Sequence, residues 1–204
     1  MRRSLYWLKW MLFAAGVSIL AYCGFVLIDA WTFQNREGRD LARLLDDHHQ
    51  AAHGGRQPKS RAAEGNPPAA TMDGLVGRIE ISRLGLSAIV MEGTGHTTLR
   101  RAAGHIAGTA LPGQVGNIGI SGHRDTFFRP LRNIRPSDMI TLTTLSGEYH
   151  YRVVSTQVVG PSDFRVLASS PNEVLTLITC YPFYFVGPAP YRFIVRAERV
   201  GKVL

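Results

Sequence analysis

Cys180 is the residue of this 204-residue chain that most clearly invites a chemical interpretation. It ends the β-type run in "TLITCYPF" and is followed by a proline and aromatic residues. The second cysteine, Cys23, lies inside an apolar N-terminal stretch, so Cys180 has no disulfide partner in the rest of the chain. The N-terminal region, described below, predicts that Cys180 lies outside the cytoplasm. An unpaired thiol there is either a pairing site between chains or a reactive group. With no second cysteine beside it, a structural zinc site is disfavoured.

A nucleophilic cysteine needs thiolate character and an acid–base partner, because the neutral thiol attacks poorly. Four histidines share the C-terminal part of the chain with Cys180: His96, His105, His123 and His150. In "NIGISGHRD" the alternation puts Ile118 and Ile120 on one face and Ser121 and His123 on the other. His123 therefore lies where a strand gives way to a loop, and we interpret it as the partner. The mid-strand His150 and the two histidines in glycine-rich turns are better explained as packing or loop residues.

Arg192 supplies a third candidate, at the start of the run "YRFIVRAERV". Only the loop "YPFYFVGPAP" separates this run from the Cys180 strand, so antiparallel pairing would bring Arg192 close to Cys180. An arginine there could stabilise a thiolate, hold a substrate carbonyl or stabilise developing oxyanion charge. The alternative is an ordinary surface arginine, which suits Arg196 and Arg199 better.

The elements that must position these residues are short β-type runs from residue 75 onward, separated by Gly, Pro, Asp and Ser. They are LVGRIEI, LSAIVME, GNIGIS, MITLTTL, EYHYRVVSTQVV, VLTLIT and YRFIVRAERV. The segments TTLRRAAGHIAG and TFFRPLRNI are typical of single helical turns or loops. Seven or eight strands without a long amphipathic helix predict an all-β domain at 74–204, either an antiparallel sandwich or a closed barrel.

The N-terminal region predicts a membrane anchor within residues 1–33. No charged residue occurs between Trp10 and Ile28, about 19 positions, which is enough to cross a bilayer as a helix. Arg2, Arg3 and Lys9 precede this run and Asp29 follows it, which predicts a cytoplasmic N-terminus and an exported domain at the plasma membrane. A cleaved signal peptide is the alternative, but its apolar core is normally shorter and ends in a small-residue cleavage site.

Residues 34–73 are predicted to form an extracytoplasmic spacer, helical at first and flexible afterwards. Leu41, Leu44 and Leu45 have helical spacing, whereas the stretch HHQAAHGGRQPKSRAAEGNPPAATMDG is rich in Ala, Gly, Pro and charge. Its histidines, His48, His49 and His53, are compatible with a metal site, but a solvated linker explains them better. We expect no metal and no cofactor.

The formal net charge of +8 raises the possibility of nucleic-acid binding, and its distribution argues against it. The first 72 residues carry +3 and the remainder +5, with arginines scattered and no basic run. A mildly basic exported surface suits anionic envelope polymers or lipid head groups better. We expect no nucleic-acid partner.

Three stretches, GHRDTFF, LTLITCYPF and APYRFIVRA, resemble the sortases, the membrane-anchored cysteine transpeptidases of bacterial envelopes. The Thr-Leu-x-Thr-Cys motif of that family is matched in full at residues 176–180. The longer stretches GHIAGTALPGQVGNIGISGHRDTFFRPL and VGPAPYRFIV are most similar to the class D branch. The resemblance covers about residues 74–200 and implies a closed eight-stranded β-barrel.

Carried over to this chain, the resemblance implies that Cys180 is the nucleophile, His123 the acid–base residue and Arg192 the group that positions substrate or stabilises the oxyanion. It implies cleavage of a sorting signal like Leu-Pro-x-Thr-Gly in a secreted protein, through a thioester. The acyl group would then pass to an amine of the cell envelope or of a pilin-type subunit. The alternatives are a hydrolase that uses water at the same site, and a non-enzymatic binding domain.

Overall fold

The computed structural model describes the backbone of residues 2–53 and 74–201, and the side chains of residues 6–46 and 74–201. Helix α1 (Arg2–His53) is followed by a domain that contains eight strands and the short helix α2 (His96–Arg101). The strands are β1 (Leu75–Ile81), β2 (Leu86–Glu92), β3 (Ala103–His105), β4 (Gly116–Ser121), β5 (Met139–Thr144), β6 (Gly147–Val159), β7 (Glu173–Tyr181) and β8 (Tyr191–Arg199). Short 3₁₀ turns occupy Ser82–Leu84, Arg129–Asn133 and Phe164–Leu167.

The strands form a closed barrel in the order β1-β2-β3-β4-β7-β8-β6-β5, and the pairing of β1 with β5 closes it. The predicted eight-stranded barrel is therefore confirmed. The alternative of an antiparallel sandwich is excluded, and two of the pairings in the barrel, β2–β3 and β4–β7, are parallel. Parallel neighbours need a crossover, which α2 provides for the first pair and the β5–β6 hairpin with its flanking loops for the second.

Seven of the eight strands coincide with the β-type runs predicted from the sequence. The eighth, β3, has three residues, too few to show a period of two, and it lies in the segment predicted as a helical turn or loop. His105 therefore belongs to a strand and not to a turn.

The barrel interior is filled by the inward faces of the strands, and the outward faces of β4, β7 and β8 carry the candidate site. On β4, Ile118 and Ile120 are fully buried in the core, while Asn117 and Ser121 point outward. The core consists mainly of branched aliphatic side chains, each of which contributes roughly 1.5–3 kcal/mol on full burial. Strand pairing and this core fix the outward side chains in place.

Helix α1 is the one helix in the described part of the chain that is long and apolar enough to cross a membrane. It continues past residue 33, and Leu41 packs in a small buried cluster with Leu75 and Ile89 of the barrel. The division of the chain at residues 33 and 73 stays a prediction, and residues 54–73 lie outside the described residues. The side chains of His48, His49 and His53 lie outside them as well.

Candidate active site

Cys180 is the penultimate residue of β7 and is half-buried. Along this strand Leu175 and Leu177 point into the core, whereas Ile178 lines a groove on the outer surface. Because successive side chains alternate between the two faces, Cys180 shares the outer face with Ile178. The strand presents the thiol at the rim of the barrel.

Arg192 is the partner of Cys180 in the antiparallel β7–β8 ladder. Directly opposed residues in such a ladder have Cα atoms about 4.5–5.5 Å apart, with side chains on the same face. The Arg192 Nη1 donates to the carbonyl oxygens of Ala189 (3.2 Å) and Tyr191 (3.0 Å). These bonds use only part of the guanidinium, which carries five N–H donors.

His123 follows β4 by two residues, in a loop tied to the Cys180 strand. The Gly122 amide donates to the Ile178 carbonyl (3.1 Å), and the Gly122 carbonyl accepts from the Thr179 hydroxyl (2.7 Å). Both backbone groups of the residue before His123 are thus bound to β7.

The buried ring of Phe128 holds the other end of the same loop. The Phe128 amide donates to the His123 carbonyl (3.0 Å) and its side chain is fully buried. A Cβ added to Gly122 would lie 2.8 Å from this ring, so glycine is the residue that fits there. The three predicted site residues, Cys180, His123 and Arg192, therefore lie at one end of the barrel. Their catalytic roles stay predictions.

Arg124 links the two loops of the site, a role that was not predicted from the sequence. Its guanidinium donates to the carbonyls of Pro182 (3.1 Å), Phe185 (2.7 Å) and Gly187 (3.0 Å). It also lies 5.9 Å from the centroid of the Phe185 ring. Arg124 thereby attaches the loop at residues 182–190, between Cys180 and Arg192, to the His123 loop. The adjacency of Arg124 to His123 was visible in the sequence, but its carbonyl partners were not.

A groove of about 240 Å³ lies on the outer faces of β4, β7 and β8. Ser121, Ile178, Ile194 and Arg192 line its floor, and the loop between β6 and β7 forms a wall. Since Ile178 precedes Cys180 on the same face and Arg192 pairs with it, the groove leads to the thiol. An extended peptide lying along these strands would bring a backbone carbonyl to Cys180.

The wall of the groove is held by Asn117, a buried residue of β4. Its Nδ2 donates to the carbonyls of Val166 (2.9 Å) and Ala168 (3.1 Å), and its Oδ1 accepts from the Thr176 hydroxyl (2.7 Å). The two bonds of Nδ2 fix the β6–β7 loop against the barrel, and the bond from Thr176 orients the amide that makes them.

Arginines hold two carboxylates of the barrel domain. A side-chain hydrogen bond from Arg165 keeps the pKa of Asp163, on the wall of the groove, below its ordinary value. The pKa of Asp138, the residue before β5, is lowered chiefly by the side-chain hydrogen bond from Arg83 and further by the backbone N–H of Arg135 (2.7 Å). Both groups are ionised and paired near neutral pH, which makes them poor general bases.

Two other histidines of the barrel, His105 and His150, have partners outside the candidate site. His105 is buried, with its Nδ1 2.7 Å from a Glu92 carboxylate oxygen and its Nε2 3.0 Å from the Ala110 carbonyl. His150 is exposed on β6, 3.3 Å from the Thr141 hydroxyl. Within the described residues no group of three or more His, Cys, Asp or Glu side chains is arranged to hold a metal ion.

Comparison with known proteins now identifies the family. The family model described as "Sortase domain" matches residues 79–200. Sortase D of Bacillus subtilis (strain 168) is 34% identical over 191 residues, which cover 92% of this chain and 94% of that protein.

Solved structures give the same result for the fold. A Sortase D5 transpeptidase of Clostridium perfringens aligns with a TM-score of 0.64 over 83% of this chain and 99% of that one, at 24% identity. Sortase A of Listeria monocytogenes aligns with a TM-score of 0.58 over 63% of this chain and 88% of that one, at 26% identity. The fold and the family match define the chain as a cysteine transpeptidase. It belongs to the sortase family and is similar to its class D members.

Proposed function

We propose that this chain is a membrane-anchored transpeptidase that cleaves a sorting signal like Leu-Pro-x-Thr-Gly in secreted proteins and transfers the acyl group to an amine. The observation that carries the proposal is the pairing of Cys180 with Arg192 on β7 and β8, beside the loop that β7 holds at Gly122. This arrangement gathers a nucleophile, an acid–base residue and a cationic donor at the end of a peptide-sized groove.

In the first half-reaction the Cys180 thiolate attacks the carbonyl carbon of the threonine, in the peptide bond between threonine and glycine of the signal. The negative charge that develops on the carbonyl oxygen is stabilised by free N–H donors of Arg192. His123 donates a proton to the leaving amine nitrogen as the C–N bond breaks, and a thioester on Cys180 remains.

In the second half-reaction an incoming amine attacks the thioester carbonyl. His123 accepts the proton of that amine, the C–S bond breaks and the thiolate is regenerated, so the protons balance over the cycle. A thioester suits transfer because it keeps the acyl group reactive toward an amine. We propose that the acceptor is an amine of the cell envelope or of a pilin-type subunit.

The proposed topology places the N-terminus in the cytoplasm and the barrel outside the plasma membrane. Three basic side chains precede the apolar run of α1 and Asp29 follows it directly, as the positive-inside rule requires. Protease treatment of intact cells tests this, since an exported barrel is digested from outside and a cytoplasmic one is protected.

The activity is tested with the full chain in detergent and a quenched fluorescent peptide that contains the signal. Cys180→Ala should abolish both cleavage and the covalent adduct seen by intact-mass spectrometry. His123→Ala should lower the turnover about 10²–10⁴-fold, and Arg192→Ala about 10²–10³-fold.

Matched controls are available on the same strands. Arg196 lies four residues beyond Arg192 on the same face of β8, and His150 is an exposed mid-strand histidine. Arg196→Ala and His150→Ala should each stay within a few-fold of the unaltered chain. Cleavage that survives Cys180→Ala would refute the proposal. Cleavage without ligated product in the presence of peptide amines would favour the hydrolase.

A further inference from the structure

The part of helix α1 that follows the apolar run is docked on the barrel. The Asp29 carboxylate accepts from Nε (2.8 Å) and Nη2 (3.0 Å) of Arg101. The Gln34 amide spans two backbone groups, donating to the Arg101 carbonyl (2.7 Å) and accepting from the Ile89 amide (2.8 Å). Farther along, Leu41 is 2% exposed against the barrel. These contacts fix the position on the barrel from which the apolar run of α1 extends.

That point lies at the end of the barrel that carries the candidate active site. Helix α2 ends at Arg101, and strand β3 begins two residues later. Gly104 of β3 pairs with Ser121 of the antiparallel strand β4. The residues after Ser121, including His123, thus extend toward the end of β3 that α2 joins. Strand β7 is parallel to β4, so Cys180 lies at that end too. The apolar half of α1 projects past the same end.

The height of the catalytic end above the bilayer follows from the helix. Gln34 is bonded at the level of Ile89, and Ile28 is the last residue of the uncharged run. Six residues at about 1.5 Å each put Ile28 about 9 Å beyond that level. The head-group layer on one side of a bilayer is roughly 5–8 Å thick, from a total of about 40–45 Å and a core of about 30 Å. The catalytic end is therefore within reach of the head groups.

The surface at this end has the composition of a membrane-contacting surface. In the loop after β7, Tyr184 is 78% and Val186 96% exposed. Three exposed arginines, Arg129, Arg132 and Arg135, belong to the segment between β4 and β5. The Arg132 guanidinium lies 5.8 Å from the centroid of the Tyr184 ring, so the two groups form one surface. We name these five residues the catalytic-end patch.

The charge of the patch is positive despite nearby carboxylates. In the segment between β4 and β5 the exposed carboxylate is Asp125, whereas Asp138 is buried and bound to Arg83. Tyrosine side chains favour the membrane–water interface, and arginines near the surface attract anionic lipids.

We propose that the catalytic-end patch rests on the outer surface of the membrane, with residues 184–186 among the lipid head groups and the three arginines against anionic phosphates. This inference depends on the proposed membrane anchoring and goes beyond it, because it assigns the face of the barrel that meets the lipid. As a consequence, a substrate must present its cleavage site within a few ångströms of the bilayer surface.

Site-directed spin labelling of the full chain in vesicles of phosphatidylcholine and phosphatidylglycerol tests the proposal. In a Cys23→Ser, Cys180→Ala background, a nitroxide is attached at Val186→Cys or at Ser146→Cys. Ser146 is the matched control, since it is exposed in the β5–β6 turn at the opposite end of the barrel. Collisions with oxygen, which concentrates in lipid, and with a water-soluble nickel chelate are measured for each label.

The expected result is a high ratio of oxygen to nickel collisions at position 186 and a low ratio at position 146. Low ratios at both positions would overturn the proposal. Protection of position 186 from both reagents would overturn it as well, because it would mean that protein covers the patch. The labelled chains lack the Cys180 thiol, so these outcomes do not depend on the proposed chemistry. Flotation of the chain with the vesicles is measured separately and shows whether the chain is anchored in the membrane.

A separate variant tests the proposed contact between the three arginines and anionic lipid phosphates. Changing Arg129, Arg132 and Arg135 together to glutamine should lower the oxygen-to-nickel ratio at position 186 in vesicles that contain phosphatidylglycerol. In vesicles of phosphatidylcholine alone the same change should have little effect. An unchanged ratio in the anionic vesicles would overturn the assignment of the arginines to lipid phosphates.

Discussion

Replacement of Arg124 by glutamine removes the guanidinium that joins the two loops of the active site. In the unaltered chain this group donates three hydrogen bonds to carbonyls of the loop at residues 182–190. The loop supplies the Ala189 carbonyl that accepts a hydrogen bond from Arg192, so its order affects where the guanidinium lies beside the thiol. We expect Arg124→Gln to loosen the loop without unfolding the barrel, because the bonds lie outside the core.

The size of the effect follows from the three bonds. Two of them are exposed, so we assign each bond the lower part of the usual range, about 0.5–1 kcal/mol net. The sum is about 2 kcal/mol, which corresponds to roughly a 30-fold change in an equilibrium, since 1.4 kcal/mol is tenfold. If transpeptidation requires the ordered loop, kcat/KM should fall by about that factor.

The assay combines kinetics of the quenched peptide with hydrogen exchange of the loop amides. Arg124→Gln should lower kcat/KM, speed exchange in residues 182–190 and shift the melting temperature by only a few degrees. Arg124→Lys should be intermediate, because the donors of an ammonium group all lie on one nitrogen, whereas the guanidinium reaches the three carbonyls from two nitrogens. Arg152→Gln, an exposed change on β6, is the matched control. Faster exchange with unchanged kcat/KM would refute the positioning role, as would lower kcat/KM with unchanged exchange.

Three further predictions concern the groove, the His123 loop and pH. Asn117→Ala removes two hydrogen bonds to the β6–β7 loop and one from Thr176 of β7, and should lower the free energy of unfolding in urea by about 3 kcal/mol. Gly122→Ala forces a Cβ to within 2.8 Å of a buried ring, and should cost about 1–3 kcal/mol while lowering peptide turnover. Because the folded pKa of Asp138 is lowered, its contribution to stability should be complete above the unfolded value of about 3.9 and be lost as pH falls through the folded pKa.

Matched variants distinguish these effects from general destabilisation. Asn172→Ala changes an exposed asparagine of the same loop and should have little effect on unfolding. Gly201→Ala, away from the groove, adds a Cβ that meets nothing within 4 Å and should leave turnover unchanged. Arg83→Gln should flatten the acid limb of the unfolding curve, and an equally steep limb in that variant would contradict the assigned cause.

The strands were predictable because their pattern is local. Short β-rich runs bounded by turn residues identified seven strands, including β7 with Cys180 near its end and β8 with Arg192 near its start. The direct pairing of those two residues was also foreseeable, since one short loop joins neighbouring antiparallel strands. Strand β3 escaped detection because three residues carry no period, and His105 was therefore placed in a turn.

Contacts between distant residues were beyond the reach of local patterns. The parallel pairing of β4 with β7 brings Gly122 to Thr179, 57 positions away. The bonds of Arg124 to the β7–β8 loop span 58 to 63 positions, and Asp29 meets Arg101 72 positions away. The composition of each segment allows many hydrogen-bond partners at such separations. The packed fold determines which partner each residue has.

The sequence by itself determined the apolar helix, the β-rich domain and the motif around Cys180, because each is recorded in neighbouring residues. The tertiary structure decided which loop meets the Cys180 strand, what holds the wall of the groove and where α1 leaves the barrel. These three features depend on the order of the strands in the closed barrel. That order is set by burying the inward faces of all eight strands in one core. The same closure places the Cys180 end of the barrel beside the apolar helix.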